Sequence, residues 1–315
     1  MKPYNNISDL KYIFIIIFFI ISIIDYIIIN INKRDIYVKA NKNENIKYEF
    51  LNIEEYNSEI LLPIQNTVKD YIEITYDEQK FLNGIIRKIK PKKIIEIGVA
   101  YGGTAVIILN AIKDIEDAKL YSIDINKNCY RLPSKQTGFI VKEKFPHLAN
   151  KWRLYTGGFT SEFIEKIGNN IDLVYIDTVH VVPGEMLNWL EILPFLKEES
   201  FVILHDTFLM YIYDSVVKNI INYSNNQILC YIRGQLILPS YKKNMFSMNI
   251  GAIKLSKNQE NYYLQYFLAL GTQWQYLPSE RELKVLIKFY RKYYGKKYVK
   301  IFIDAIEKNK LRFAK

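Results

Sequence analysis

Short apolar segments alternate with segments of helical periodicity through the middle of the chain, and this alternation restricts the fold more than any other feature. The apolar segments are 93–98, 119–125, 152–157, 171–177 and 200–206. A strand that is apolar on both faces needs cover on both faces, as it has in the parallel sheet of an α/β protein. The sequence therefore predicts an α/β domain with a doubly wound, mostly parallel sheet.

Helix signals lie between and around these predicted strands. Thr75 and Glu78 have the spacing of a capping box and precede a segment of helical periodicity that Pro91 ends. Further helices are predicted after Thr160 and after Gly184. In such a sheet, ligands bind beyond the carboxyl ends of the strands. The residues that follow the strands are therefore the first candidates for function.

The C-terminal part contains two more segments that resemble strands, 227–233 and 248–255, joined by a candidate lid at 234–248. Beyond them we expect a helical extension, interrupted at Gly271 and near Pro278. Residues 281–315 carry twelve basic and three acidic side chains, whereas the net charge of the whole chain is +10. Such a basic surface suits nucleic acid or anionic lipid, and a solvated helix face is the simpler interpretation.

The N-terminal residues 12–31 form an apolar stretch of the length that a helix needs to cross a bilayer, with Asp25 as its one charge. More Lys and Arg follow this stretch than precede it, and the positive-inside rule then places the rest of the chain in the cytoplasm. The alternative is an apolar helix that packs on a partner or on the domain itself. Cys129 and Cys230 are too far apart to indicate a disulfide framework or a thiolate metal site.

A glycine-rich turn follows the first predicted strand and has the form E-x-G-x-x-x-G, from Glu96 through Gly98 to Gly102. Position 100 is Ala and no Lys follows the glycines, so neither a dinucleotide fingerprint nor a P-loop fits. The glycines would let the backbone approach a ligand closely. With its acid inside the strand, this turn resembles the first motif of the class I S-adenosylmethionine-dependent methyltransferases.

The resemblance covers roughly residues 75–255 and implies a Rossmann-like methyltransferase fold, with seven strands and an antiparallel final hairpin. It also implies that Asp124, at the end of the second strand, accepts hydrogen bonds from a ribose, which an acid there would equally do for NAD. The residues implied to bind S-adenosylmethionine are Glu96, Gly98, Tyr101, Gly102, Asp124, Gly158, Phe159 and Asp177. A capping or surface role for Asp124, and a plain turn at 155–163, are the structural alternatives.

The segment that starts at Asp177 with D-T-V-H, together with the later H-D pair, resembles the branch of this superfamily that methylates sugar hydroxyls and natural-product scaffolds. That resemblance implies His180 as the general base, with His205 beside the reacting groups as a second catalytic candidate. It also implies a divalent cation such as Mg²⁺, bound by Asp177 and Asp206. Thr178 and Val179 depart from the D-G-D-H pattern of the branch, so an active site that binds no metal is the alternative. Histidines bonded only to backbone groups are the structural alternative.

These observations predict four regions: a membrane-anchoring helix (1–34), a linker or cap (35–74), a methyltransferase domain (75–256) and a basic helical extension (257–315). The favoured hypothesis is O-methylation of a sugar hydroxyl in a glycan or glycolipid precursor at the cytoplasmic face of the membrane. The second hypothesis is a binding protein with a degenerate methyltransferase fold that contacts nucleic acid or anionic lipid through its basic tail. Methylation of nucleic acid is disfavoured because no N/D-P-P-[YF] signature follows the fourth strand.

Overall fold

A single sheet of eight strands organises the described part of the protein. The computed structural model describes residues 48–53, 58–206, 234–240 and 249–314. The strands are β1 (Tyr48–Asn52), β2 (Lys93–Ile97), β3 (Lys119–Asp124), β4 (Trp152–Thr156), β5 (Ile171–Ile176), β6 (Leu196–His205), β7 (Gly234–Ser240) and β8 (Ile250–Leu255). Their order across the sheet is β1-β7-β8-β6-β5-β2-β3-β4.

Only β8 runs against its neighbours in the described sheet. It pairs antiparallel with both β6 and β7, and every other neighbouring pair is parallel. Strands β2 to β8 therefore form the predicted seven-stranded, mostly parallel sheet of the Rossmann-like methyltransferase fold, with its antiparallel final hairpin. The sequence did not predict β1, which lies parallel to β7 at the edge and extends the sheet.

Helices flank the sheet between the strands and after them. They are α1 (Ser58–Val68), α2 (Tyr76–Ile89), α3 (Gly103–Ala111), α4 (Phe139–Lys144), α5 (Thr160–Ile167), α6 (Gly184–Ile192), α7 (Tyr263–Ala269), α8 (Glu280–Tyr293) and α9 (Lys296–Phe313). The predicted capping box begins α2: the Glu78 amide donates to Thr75 Oγ1 at 3.3 Å, and the Thr75 amide donates to Glu78 Oε2 at 2.7 Å. Lys90 ends this helix in a left-handed conformation, just before Pro91.

The two faces of the sheet belong to two different hydrophobic cores. Along β2, Ile94 packs in one core, whereas Ile95 and Ile97 pack in the other, because successive side chains of a strand point to opposite faces. Helices α1 to α4 cover the face of Ile94, and α5 to α9 cover the opposite face. Burial on both faces explains why the strands are apolar throughout.

The predicted C-terminal helical extension is confirmed, and it packs against the α6 side of the sheet. The Tyr290 hydroxyl donates to Leu187 O at 3.3 Å, and the Tyr294 hydroxyl donates to Leu190 O at 2.6 Å. Trp274, in the segment between α7 and α8, is buried and donates through Nε1 to Leu270 O at 2.8 Å. The extension is thus part of the core that lies on this face.

One sequence prediction was wrong and two others fall on parts of the chain that are not described. Residues 234–240 form strand β7 and pair with β1 and β8, so they do not belong to a lid. The predicted strand at 227–233 and the rest of the predicted lid lie outside the described residues, as does the apolar stretch 12–31. Among the helices that are described, none has both the length and the apolar character that a membrane span needs.

Candidate active site

A cavity of about 430 Å³ opens at the carboxyl ends of the parallel strands. Its wall is built by residues that follow four of them: Gly98 after β2, Asp124 at the end of β3, Phe159 after β4 and Asp177 after β5. Tyr71, which lies between α1 and α2, adds a further wall. The volume lies in the range typical of pockets for small molecules and cofactors.

The glycine turn after β2 depends on two glycines with positive φ. Gly98 has φ +90° and Gly102 has φ +95°. A Cβ on Gly98 would lie 1.8 Å from the Asp177 carbonyl oxygen, and a Cβ on Gly102 would lie 2.9 Å from Gly138 Cα. The space that these glycines leave is therefore filled by protein backbone. Gly98 also lines the cavity, whereas the lack of a side chain at Gly102 allows the backbone to approach Gly138 closely.

The Asp124 carboxylate holds the glycine turn in place and also lines the cavity. Its Oδ2 accepts hydrogen bonds from the amides of Val99 (3.0 Å) and Ala100 (3.3 Å), and its Oδ1 accepts one from the Asn126 amide (2.8 Å). An ionised carboxylate offers about four acceptor positions. One position thus remains for a ligand hydroxyl without any rearrangement of the turn.

Glu96 is fully buried within β2, and its neighbours Ile97 and Gly98 line the cavity instead. Its Oε2 accepts from Ser122 Oγ at 2.5 Å, whereas Oε1 has no partner in the described structure. Burial, together with the charges of Asp177 and Asp124, raises the pKa of Glu96 to about 8 despite the bond from Ser122. Glu96 therefore holds its proton more tightly than a solvated glutamate does.

The remaining candidates for cofactor binding also line the cavity. Gly158 and Phe159 form the wall after β4, and the Arg281 guanidinium from α8 lies over the Phe159 ring at 5.2 Å from its centroid. Tyr101, in the glycine turn, contacts Tyr71 edge to face with 5.8 Å between the ring centroids. Aromatic side chains from three segments thus line the cavity.

The ends of β5 and β6 bring the two predicted histidines and two predicted aspartates together. His180 Nε2 lies 2.6 Å from Asp206 Oδ2 and 3.6 Å from Asp177 Oδ1. His205 Nδ1 lies 3.2 Å from Asp206 Oδ2 and 3.5 Å from Asp177 Oδ1. Asp177 and His180 line the cavity, whereas His205 and Asp206 are buried next to them.

Both imidazole rings are held in the charged form by the surrounding carboxylates. Burial favours the neutral ring, but hydrogen bonds to Asp206 and Glu185 outweigh it and raise the pKa of His180 to about 10. Burial is likewise outweighed at His205, whose pKa rises to about 12 beside Asp177, Asp206 and Glu78. In this arrangement the His180 ring is protonated at neutral pH. It can accept a proton from another group only if the negative charge of its carboxylate partners is first compensated.

The same cluster has the donor set of a divalent cation site. Asp177, His180 and Asp206 can each point one ligand atom into a space where these atoms lie within 4.8 Å of one another. Two carboxylates and an imidazole suit a divalent cation, and the carboxylates are the ligands that Mg²⁺ prefers. The residues therefore fit the cation that the sequence resemblance implies, and the structure adds His180 to the two aspartates as a candidate ligand.

Two acids near the histidines were missed by sequence reasoning. Glu185, in the first turn of α6, is fully buried and places Oε1 at 3.2 Å from His180 Nδ1. Glu78 was recognised only as a capping residue, but it also lies 3.8 Å from His205 Nε2. Its Oε1 accepts from the Asn249 amide at 2.7 Å, which ties α2 to the start of β8. The short sequence spacing between His180 and Glu185 could have indicated their contact. No residue near Glu78 in the sequence indicated its contact with His205.

Residues 95–207 match a family model described as a methyltransferase domain. A search of curated proteins gives no significant match. Among solved structures, the protein is similar to the O-methyltransferase TomG of Streptomyces achromogenes, which is involved in tomaymycin synthesis and was solved with SAM, at 12% identity and a TM-score of 0.46. That alignment covers 64% of this chain and 98% of TomG.

Two further solved structures show a comparable likeness. An O-methyltransferase from Bacillus cereus, in complex with SAH, is 10% identical with a TM-score of 0.45, over 64% of this chain and 99% of that one. The SAH-bound methyltransferase PaMTH1 of Podospora anserina is 12% identical with a TM-score of 0.43, over 65% and 92%. At these values the likeness says nothing about activity.

Replacing Gly98 by Ala should destabilise the fold by about 3 kcal/mol or more, because the new Cβ meets backbone at a positive φ. Gly295 is the matched control: its φ is +83° and a Cβ there meets nothing within 4 Å. Its replacement by Ala should cost less, about 1–3 kcal/mol, because only the backbone strain at φ +83° and ψ 172° remains. Urea unfolding of both variants measures the difference, and equal losses would disprove the backbone contact at Gly98.

In metal-free protein, the His180 ring should still be protonated at pH 8. Because its folded pKa (about 10) is above the ordinary value of 6.5, its ion pairing stabilises the fold fully below pH 6.5 and is lost as the pH rises through 10. Asp206→Asn should lower the His180 pKa towards 6.5, so the stability lost by this variant is larger at pH 6 than at pH 10.

NMR titration of the ring protons measures the pKa, and urea unfolding at the two pH values measures the stability. Asp304→Asn, at an exposed position on α9, is the control for loss of a carboxylate. A His180 pKa near 6.5 in the unsubstituted protein would contradict the ion pair.

Proposed function

We propose that this protein is an S-adenosylmethionine-dependent methyltransferase that transfers a methyl group to a hydroxyl. The observation that carries the proposal is one cavity that joins the Gly98 turn, the Asp124 carboxylate and the Asp177–His180 pair. The first two suit a nucleoside, and the third suits removal of a proton from an acceptor. The methyltransferase match over 95–207 spans all of these residues and supports the same class.

The cofactor is proposed to bind along the ends of β2, β3 and β4. A ribose hydroxyl donates to the free acceptor position of Asp124, and the Gly98 turn contacts the methionine portion. The base lies beside Phe159 and Gly158. Because Glu96 is fully buried and does not line the cavity, we assign it a positioning role: it fixes strand β2 through its hydrogen bond with Ser122.

His180 and Asp177 are proposed to handle the acceptor. Methyl transfer from a sulfonium is an in-line displacement, so the chain mainly has to align the acceptor and remove one proton. His180 Nε2 is the proposed proton acceptor, and Glu185 at its Nδ1 keeps the ring turned towards the aspartates. Asp177 and Asp206 would hold a cation such as Mg²⁺, which when bound would acidify a hydroxyl. His180 then stays outside the ligand set, so its Nε2 is open to the proton.

The acceptor is proposed to be a sugar hydroxyl in a glycan or glycolipid precursor at the cytoplasmic membrane face. The motif from Asp177 to His180 and the later pair His205–Asp206 support the sugar class, and the apolar stretch 12–31 supports the location. The non-catalytic alternative is less favoured, because the cavity keeps the acid and the glycine turn that a cofactor needs.

Asp124→Ala should weaken binding of S-adenosylmethionine about tenfold or more, since it removes the charged acceptor for the ribose. Titration calorimetry on the full chain, with and without magnesium chloride, measures the affinity. Asp114→Ala, at an exposed position, is the control. Thermal unfolding must show that the Asp124 variant is folded, because this carboxylate also holds the glycine turn. Unchanged affinity in a folded variant would remove Asp124 from the ribose site.

His180→Ala should abolish most transfer of labelled methyl into a lipid-linked sugar extract while changing the affinity for S-adenosylmethionine less than about threefold. The physical reason is that His180 faces the acceptor and not the ribose or base. His147→Ala is a control for loss of an imidazole elsewhere in the chain. Transfer at the unsubstituted rate would assign His180 a structural role. Absence of any binding of S-adenosylmethionine by the folded, unsubstituted protein would reject the function as a whole.

A further inference from the structure

The mouth of the cavity is marked by residues that line it and are also exposed to solvent. Tyr130 lines the cavity with 55% of its surface exposed, and Glu73 lines it with 46% of its side chain exposed. Glu73 comes from the segment between α1 and α2, whereas Tyr130 comes from the loop after β3. Two separate segments of the chain therefore meet solvent at this mouth.

The first of these segments is packed against the glycine turn. The Tyr71 ring contacts Tyr101 and Phe139 edge to face, with 5.8 Å between the ring centroids in both pairs. The Tyr71 carbonyl oxygen lies 2.2 Å from the position that a Cβ on Gly103 would take, so its backbone packs directly on the start of α3. Glu73 is thus carried by a segment that is fixed beside the turn proposed to contact the methionine portion.

The loop after β3 is fixed at its base. The Asn126 amide donates to Asp124 Oδ1 at 2.8 Å, which ties the start of the loop to the proposed ribose acceptor. Further along, Cys129 is buried, and its amide donates to Lys135 O at 2.9 Å. The two residues that follow Cys129 are exposed. The loop therefore holds these two side chains at the mouth from a base that begins at the nucleoside site.

Glu73, Tyr130 and Arg131 join the two segments and form a latch. Glu73 Oε1 accepts from Arg131 Nε at 2.7 Å and from the Tyr130 hydroxyl at 3.3 Å. The Tyr130 hydroxyl also accepts from Arg131 Nε at 3.0 Å, and the guanidinium lies over the Tyr130 ring at 5.0 Å from its centroid. An ion pair that is about half exposed is weak, because water competes for both partners. The latch can therefore open while the packed segments beneath it stay in place.

We propose that this latch closes the cavity over the bound nucleoside, and that its opening limits how fast the cofactor and its product exchange. This inference rests on the proposed function. Glu73 lies outside the residues that match the methyltransferase domain and acts by holding the neighbouring loop, so it is a positioning residue. A latch that itself makes no contact with the ligand slows entry and exit by the same factor and leaves the affinity nearly unchanged.

The test measures association and dissociation of S-adenosylhomocysteine on the immobilised full chain by surface plasmon resonance. Glu73→Ala should raise both rate constants about threefold, because an exposed ion pair adds only a small barrier, and should change Kd less than about twofold. Arg131→Ala should do the same, and the double variant should exchange no faster than either single variant, since both changes remove one interaction.

Glu143→Ala is the matched control. It removes a carboxylate of similar exposure, 43% of the side chain, which pairs with Lys135 at 2.9 Å and does not line the cavity. Both rate constants should stay unchanged in this variant.

Salt provides a second measurement that does not depend on the fold of a variant. S-adenosylhomocysteine carries one carboxylate and one ammonium group and has no net charge at neutral pH, so salt acts mainly on the latch. Raising sodium chloride from about 50 mM to about 500 mM should speed exchange in the unsubstituted protein, because salt screens an exposed ion pair. The same change should leave the rates of Glu73→Ala unaltered.

The outcomes separate the inference from the function on which it rests. Unaltered rates in Glu73→Ala, with thermal unfolding unchanged, would overturn the latch. Faster dissociation with unchanged association would place Glu73 in contact with the ligand and would also overturn it, as would an equal rise of both rates in Glu143→Ala. Failure of the folded, unsubstituted protein to bind S-adenosylhomocysteine would instead overturn the proposed function itself.

Discussion

The backbone contact between the glycine turn and the end of β5 is the constraint on which the rest of the site depends. The Asp177 amide donates to Ile97 O at 3.0 Å, and the Gly98 amide donates to Ile123 O at 3.0 Å, so the chain ends of β5, β2 and β3 are bonded in sequence. No Cβ fits at Gly98 because the Asp177 carbonyl occupies its place. This close approach puts the Gly98 turn, which is proposed to hold the cofactor, next to Asp177, which is proposed to handle the acceptor. In-line transfer between two bound molecules needs that proximity.

Charge balance is the second constraint. Several carboxylates lie together at the ends of β5 and β6, and their negative charge needs nearby positive charge because the site is largely buried. Glu78, Asp177, Glu185 and Asp206 surround two imidazoles, and leaving any of these charges without a partner would be costly. In the described arrangement the two imidazolium rings supply the compensating charge. A divalent cation among the same carboxylates would supply it equally and would free His180 from its proton. The cluster is therefore consistent with either occupant, and the two states differ in whether His180 can act as a base.

The sequence allowed prediction of whatever depends on local pattern. Strands β2 to β6 follow from apolar runs, and the candidate residues at their ends follow because parallel strands end at one edge. Prediction from the sequence failed for contacts between residues that lie in distant segments of the chain. Residues 234–240 contain Gly and Pro at their ends and were taken for a lid, yet their apolar middle pairs with β8 and with the unforeseen β1. The contact between Glu78 and His205 joins residues far apart in the chain, so no spacing rule could reveal it.

The extension shows that the boundary of the matched domain and the boundary of the functional unit are different. Helices α7 to α9 bury their apolar faces in the same core as α5 and α6, so removing them would expose that core to water. Gln275 bonds the extension to the segment before α6, Arg281 bonds it to the first turn of α5, and Tyr276 contributes to the wall of the cavity. The packing of this core and the shape of the cavity thus depend on the same segment. A change that loosens the packing of the extension should alter the shape of the cavity, because the segments that bury Trp274 and Tyr290 also carry Tyr276 and Glu282, which line it.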